Sequence, residues 1–235
     1  HHPRPSRDGR FLAYLCGRAI CRLEAETGAV RTVVPAPATP QGQNFRALPS
    51  PDGEWIAYSY ISNVTDHADL RVVRADGSEN RAILAGDEAR REYFSPADWT
   101  ADGKSLLITK VSKAGTGLLL LSFPAGGRKE IPRPDLEWFH GRDNVRISPD
   151  GKWIAYPSVK AEERRFGHSP TDVKVMPVRG GESWTVMSGK SAERVIGWLP
   201  DGDLLVQSDR TGVDRAFRVP LLDGKPNGEP EILDE

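Results

Sequence analysis

Apolar residues in this chain come in short blocks, each introduced by the same polar turn. Trp55-Ile56-Ala57-Tyr58 follows Ser50-Pro51-Asp52-Gly53, and Trp153-Ile154-Ala155-Tyr156 follows Ser148-Pro149-Asp150-Gly151. The arrangement recurs at Asp8-Gly9 before Phe11-Leu12-Ala13-Tyr14, at Asp102-Gly103 before Leu106-Leu107-Ile108, and at Asp201-Gly202 before Leu204-Leu205-Val206. The aspartates at 8, 52, 102, 150 and 201 lie 44, 50, 48 and 51 residues apart, a spacing that marks an internal repeat. In the turn, Asp bonds its own backbone two residues on, Gly takes a positive φ, and a preceding Pro presets the first central position. Each turn therefore joins two antiparallel strands. The strand after it is apolar at successive positions rather than alternating, which predicts burial on both faces. That pattern fits sheets stacked face to face, not a two-layer sandwich with polar outer faces.

A second signature closes each repeat: an apolar strand, a Gly turn and another short strand. The copies are Ile20–Leu23 with Thr27-Gly28 and Val30–Val34, and Leu70–Val73 with Asp76-Gly77 and Ala82–Leu84. Leu118–Leu121 with Gly126-Gly127 and Ile131, and Val173–Met176 with Gly180-Gly181 and Trp184–Val186, follow. The last is Ala216–Val219 with Asp223-Gly224 and Glu231–Leu233. A further strand precedes each anchor, as at Val145–Ile147 or Val195–Trp198. Four short strands per repeat make the blade of a propeller, and a lone blade cannot hide its apolar faces, so the blades must stack. The pattern predicts an all-β fold, a β-propeller of four-stranded antiparallel blades in a single domain over residues 1–235. The blades fall near 1–40, 41–88, 89–136, 137–190 and 191–235. The first repeat lacks a convincing inner strand, because His1 to Pro5 is short and holds two prolines.

The Ser-Pro-Asp-Gly-x-Trp-Ile-Ala-Tyr pattern, the strand and turn at Val72 to Gly77, and the stretch Leu204 to Gly212 resemble the TolB-type propeller repeat. The resemblance covers essentially the whole chain. It implies a periplasmic or extracytoplasmic protein: a scaffold, or a propeller attached to a peptidase, a hydrolase or a membrane-tethered regulator. TolB-type rings usually have six blades, whereas five repeats are counted here. A five-bladed ring is the expectation, and an incomplete six-bladed ring is the alternative. The repeat is specific for fold and unspecific for activity.

Composition narrows the function classes. The 32 basic and 33 acidic residues are scattered and nearly cancel, so the chain lacks the basic footprint of a nucleic-acid binder. The longest apolar run, Leu118–Leu121, is strand-sized, and no membrane insertion is expected. No secretory apolar stretch lies in His1 to Pro5, so extracytoplasmic placement rests on the resemblance. The chain contains no nucleophile elbow, phosphate loop or His-Glu-x-x-His motif, and no cofactor or metal is expected. His67, His140 and His168 lie in different repeats without shared spacing. Asp66-His67-Ala68-Asp69 could ligate a metal on paper, but its place between strands predicts a solvated loop tip. Cys16 and Cys21 flank a plausible hairpin, which leaves both a disulfide and two buried thiols open.

Any activity must then lie in the non-repeating segments between blades, which a propeller gathers at its channel mouth. These are Gln41 to Phe45, Arg90 to Phe94, Trp138 to Asn144 and Ser191 to Arg194. They nominate Asn44, Phe45, Arg91, Glu92, Tyr93, Trp138, Phe139, His140, Arg142, Asp143 and Arg194 as ligand- or partner-binding residues. Convergent polar and aromatic groups at a concave mouth suit a pocket, and Arg and aromatics anchor interfaces. The Trp138-Phe139 pair in a polar loop is costly to leave uncovered. The expected function is non-catalytic binding of a protein or peptide, with a small ligand possible. The alternatives are a propeller accessory to, or gating, a hydrolase or peptidase, and an enzyme using Glu92, His140, Asp143 and Glu193 in the channel.

Overall fold

The hydroxyl two residues before each aspartate, in four of the five repeats, completes the turn that starts the blade. Ser6, Thr100 and Ser148 donate to Asp8, Asp102 and Asp150 at 2.7, 2.7 and 2.6 Å, and Ser50 does the same to Asp52. The same carboxylate oxygen accepts the backbone N–H of Arg10, Glu54, Lys104 or Lys152 at 3.0 Å. The hydroxyl oxygen in turn accepts the N–H of Phe11, Trp55, Ser105 or Trp153. The hydroxyl and one carboxylate oxygen are thus used locally, so the turn forms wherever the short motif occurs. The fifth repeat has Leu199 in place of the hydroxyl. There Arg218 ties the turn down instead, at 2.8 Å from Asp201 and 2.6 Å from Asp203.

The computed structural model describes residues 3–40, 42–62, 64–132, 144–159, 171–188 and 193–233. The first blade is β1 (Arg4–Pro5), β2 (Phe11–Cys16), β3 (Ala19–Glu24) and β4 (Val30–Val34). The second is β5 (Gly42–Pro49), β6 (Trp55–Ser62), β7 (His67–Arg74) and β8 (Arg81–Leu84). The third is β9 (Tyr93–Trp99), β10 (Ser105–Ser112), β11 (Gly115–Ser122) and β12 (Arg128–Ile131). The fourth is β13 (Arg146–Ile147), β14 (Trp153–Val159), β15 (Thr171–Pro177) and β16 (Trp184–Met187). The fifth is β17 (Arg194–Trp198), β18 (Leu204–Ser208), β19 (Arg215–Val219) and, after a small hairpin of β20 (Leu221–Leu222) and β21 (Lys225–Pro226), the outer strand β22 (Glu231–Ile232). Within each blade the strands pair antiparallel in chain order. A parallel pairing, Ala68 with Tyr93, joins the second and third blades into one eight-stranded sheet.

The chain divides into two compact units, His1–Lys129 and Glu130–Glu235. In the first, the strand β6 shows why its residues are apolar in succession. Ile56 and Tyr58 pack with Phe11, Ile20 and Val73 between the first and second blades. Ala57, between them in sequence, packs with Leu70, Phe94, Leu106 and Ile108 between the second and third. Alternate side chains serve opposite interfaces, and each fully buried Ile, Leu or Phe contributes roughly 1.5–3 kcal/mol. In the second unit, Ala155, Val173, Val195, Leu204 and Phe217 form the corresponding layer between the fourth and fifth blades.

Two features differ from the sequence expectation. The first blade does have an inner strand: Arg4 pairs with Ala13 and Pro5 with Leu12. An innermost strand has a ladder partner on one side only, so the N–H that proline lacks costs little there. The Asp223-Gly224 turn belongs to the β20–β21 hairpin, not to a direct link from third to fourth strand. Gly224, at φ 70°, lies so close to Trp153 that a Cβ there would stand 2.4 Å from the indole ring.

Candidate binding face

Antiparallel order sorts the loops of each blade by end. The Asp-Gly turns and the turns after the third strand share one end. The opposite end carries the hairpin tips between second and third strands and the crossovers to the next blade. The first end is repeated turn chemistry, whereas the second is irregular in sequence and length. All the nominated residues that the structure describes belong to crossovers or to the starts of inner strands at this second end.

The hairpin tips, absent from the nominated set, prove to hold the crossovers. Arg18, at the tip between β2 and β3, donates to Thr39 O at 2.8 Å and Gly42 O at 2.9 Å. Asn44 donates back to Arg18 O at 3.0 Å and to Pro35 O at 3.1 Å. Asn44 was expected in a loop at the mouth. It lies within β5 and is 2% exposed, with its amide spent on backbone carbonyls. Phe45 is also in β5, half-buried, with the Arg46 guanidinium 5.9 Å from its ring centre.

The crossover from second to third blade is gripped from both sides. Arg91 and Tyr93 both hydrogen-bond to Asp66 at the tip between β6 and β7. The Tyr93 hydroxyl, then Arg91, hold the Asp66 carboxyl below the usual aspartate range. Lys113, at the tip of the third blade, donates from its backbone to Arg90 O and from Nζ to Ala89 O, at 3.1 and 3.0 Å. Asp69 accepts the N–H of Gly86 at 2.9 Å, and Ala68 N–H donates to Glu92 O at 3.0 Å. Glu92 is buried and pairs with Lys110 at 3.0 Å. Asp66 and Asp69 are therefore bonded supports of the crossover rather than a solvated tip. Among the described residues no three His, Cys, Asp or Glu side chains gather into a metal-holding group.

In the second unit, Glu193 precedes β17 with a side chain 0% exposed, and its Oε1 takes Arg210 Nη2 at 2.8 Å. The other oxygen, Oε2, has no hydrogen-bond partner among the described residues. Arg210 also donates to Ser188 O at 3.1 Å and lies 5.4 Å from the centre of the Phe217 ring. Thr171 bonds both backbone groups of Glu193. Arg194 begins β17 and is exposed. Trp138, Phe139, His140, Arg142 and Asp143 lie outside the described residues. Cys16 and Cys21 are joined in a disulfide, with Cα atoms 5.9 Å apart. Cys16 faces Ala19 and Cys21 faces Tyr14 across the ladder, so the bond runs diagonally.

No protein-family model matches this sequence, and no curated protein does. Solved structures match over nearly the whole chain. A protein assigned as TolB from Agrobacterium tumefaciens is similar at 20% identity and a TM-score of 0.66, covering 99% of this chain and 79% of its own. An oligogalacturonate lyase solved with manganese matches at 13% identity and TM-score 0.69, over 95% of this chain and 65% of its own. A prolyl endopeptidase matches at 16% identity and TM-score 0.65, over 99% of this chain but only 36% of its own. Four-stranded antiparallel blades and these neighbours define the fold as a β-propeller. Within that fold, the chain is similar to TolB propellers in structure, and its repeat motifs resemble theirs.

Proposed function

We propose that this chain is a non-catalytic binding domain, extracytoplasmic in location, in which the crossover-and-tip end of the first unit receives a protein or peptide. The observation that carries this reading is the pinning of that end. In the first unit, Arg18, Asn44, Asp66 and Lys113 hold irregular backbone in place. A surface ordered before its partner arrives loses less freedom on binding. Likeness to a TolB protein and the Cys16–Cys21 disulfide support the location. A second reading, a propeller that gates a peptidase, is favoured by the prolyl endopeptidase match, in which a chain of this length makes up about a third of the whole.

The test compares the crossover end after the second blade with the turn end of the third. A photo-cross-linking residue is placed at Glu88, exposed in the second crossover, or at Lys104, exposed in an Asp-Gly turn. In the native cell envelope, Glu88 is expected to yield a discrete cross-linked partner and Lys104 none. Cross-links from Lys104 alone would defeat the assignment of the face. A cross-link from Glu88 to a hydrolase domain of the same polypeptide would favour the gating reading.

A further inference from the structure

Among the described residues, the crossover from first to second blade rests on one hairpin tip, whereas the crossover from second to third blade rests on two. Residues 35–40 form no strand and include Pro35, Pro37 and Pro40, which have no N–H to donate. Its anchors among the described residues include the two bonds from Arg18, the bond from Asn44, and the local turn from Gly42 N–H to Thr39 O at 3.2 Å. Asn44 is itself braced on Arg18 O. Asp66, Asp69, Ala68 and Lys113 support the next crossover independently.

Arg18 sits beside Gly17, at φ 67°, in a two-residue turn beyond the last rung of the ladder, Cys16 opposite Ala19. Terminal rungs open more readily than central ones. The Cys16–Cys21 bond runs diagonally across these rungs. Cys21 is buried, whereas Cys16 is half-buried and open to a small reagent.

We propose that the Cys16–Cys21 disulfide is a redox-sensitive lock on this crossover, holding Arg18 against Thr39 and Gly42 when oxidised and releasing both when a dithiol reduces it. A thiolate of the dithiol attacks the Cys16 sulfur, forming a mixed disulfide and expelling Cys21 as a thiolate, which takes up a proton. The second thiol of the reagent attacks the reagent sulfur in that bond, releasing Cys16, which is protonated in turn. Two electrons and two protons pass to the protein, and the dithiol leaves as its own disulfide. The lock needs no assumption about what binds the face.

The experiment is backbone hydrogen exchange on the full chain, oxidised and after treatment with dithiothreitol. Reduction is expected to speed exchange in residues 36–44 by about tenfold, the scale of losing one to two net hydrogen bonds. Residues 55–62 and 85–92 are expected to stay unchanged. Oxidised Arg18→Met is expected to show the same rise and no further response to the dithiol. An unchanged 36–44 segment on reduction, an equal rise throughout the chain, or a continued response in Arg18→Met would each overturn the proposal. The Cys16→Ser/Cys21→Ser variant should match the reduced protein; reduced wild type supplies the same comparison if it does not fold.

Discussion

Asp66 and Arg91 come from successive blades, are hydrogen-bonded to each other, and both occupy the left-handed backbone region, at φ 45° and 51°. Non-glycine residues hold that conformation only where their surroundings compensate for it. The pair, joined by the Tyr93 hydroxyl, supplies that compensation for the tip and crossover together.

Removing the acceptor should loosen the crossover without unfolding the blade. Asp66→Ala is expected to accelerate tryptic cleavage after Arg90 and Arg91, with cleavage after Arg10 unchanged. Asp66→Asn, which tolerates a positive φ and keeps one acceptor oxygen, should fall between Ala and wild type. If Asp66→Ala is cleaved at the wild-type rate, the pair is not what holds the crossover.

The blade turns give a pH dependence of definite sign. The Ser6 hydroxyl, then the Arg10 backbone N–H, lower the Asp8 carboxyl from 3.8 to about 2. Asp102 is lowered by the Thr100 hydroxyl and then the Lys104 N–H. The unfolded chain protonates at the ordinary aspartate value, so in this window it binds more protons than the folded one. The stabilisation is present above that value and is lost as pH falls through it toward the folded one. The thermal midpoint should therefore drop between about pH 5 and pH 2. Asp8→Asn should shallow that drop, and so should Ser6→Ala, by removing the largest cause of the shift. An unaltered pH profile in both variants would show that the turn carboxylates contribute nothing.

Much of the fold was legible because each turn closes over a few residues: the Asp52 carboxylate and Ser50 hydroxyl act within five positions. The apolar runs were equally local, since stacking on both faces demands them wherever they fall. The supports of the candidate face were not legible. Arg18 meets Gly42 across 24 residues and Asp66 meets Arg91 across 25, and those meetings exist only once strand register is set. Asn44 looked like a loop residue because β5 begins earlier than its apolar positions suggest. Asp66 read as part of a solvated tip, and Glu92 and Glu193 as groups facing the channel, since no local pattern distinguishes a paired side chain from an unpaired one.

The hairpin carrying Gly224 offers a test of packing in the second unit. Its φ of 70° disfavours any side chain, and a Cβ would press into the Trp153 ring, itself stacked edge-on with Trp184 at 5.8 Å between centroids. Overpacking of this kind costs about 1–3 kcal/mol. Gly224→Ala should lower the unfolding midpoint in denaturant and quench or shift the fluorescence of the Trp153–Trp184 pair. Gly228→Ala, at φ 142° with only ordinary contacts to Pro220, serves as the control for backbone strain alone. Equal losses in the two variants would assign the effect to backbone and not to the indole.

The Glu193–Arg210 pair makes the most demanding prediction, because the acid is fully buried and the base is partly exposed. Arg210→Met keeps the length of the side chain and its contact with Phe217 but strands the carboxylate without its cation. Breaking a buried pair in this way costs about 3–5 kcal/mol, mostly from the uncompensated charge left behind. Glu193→Gln removes the charge instead and leaves Arg210 able to reach water, so it should cost less than Arg210→Met. The double variant should then be more stable than Arg210→Met alone, since no charge is stranded. Chemical denaturation of the four proteins closes the cycle. A double variant less stable than both single variants would mean that Glu193 is held by its neighbours at Thr171 and not by Arg210, and that the crossover into β17 is pinned through backbone alone.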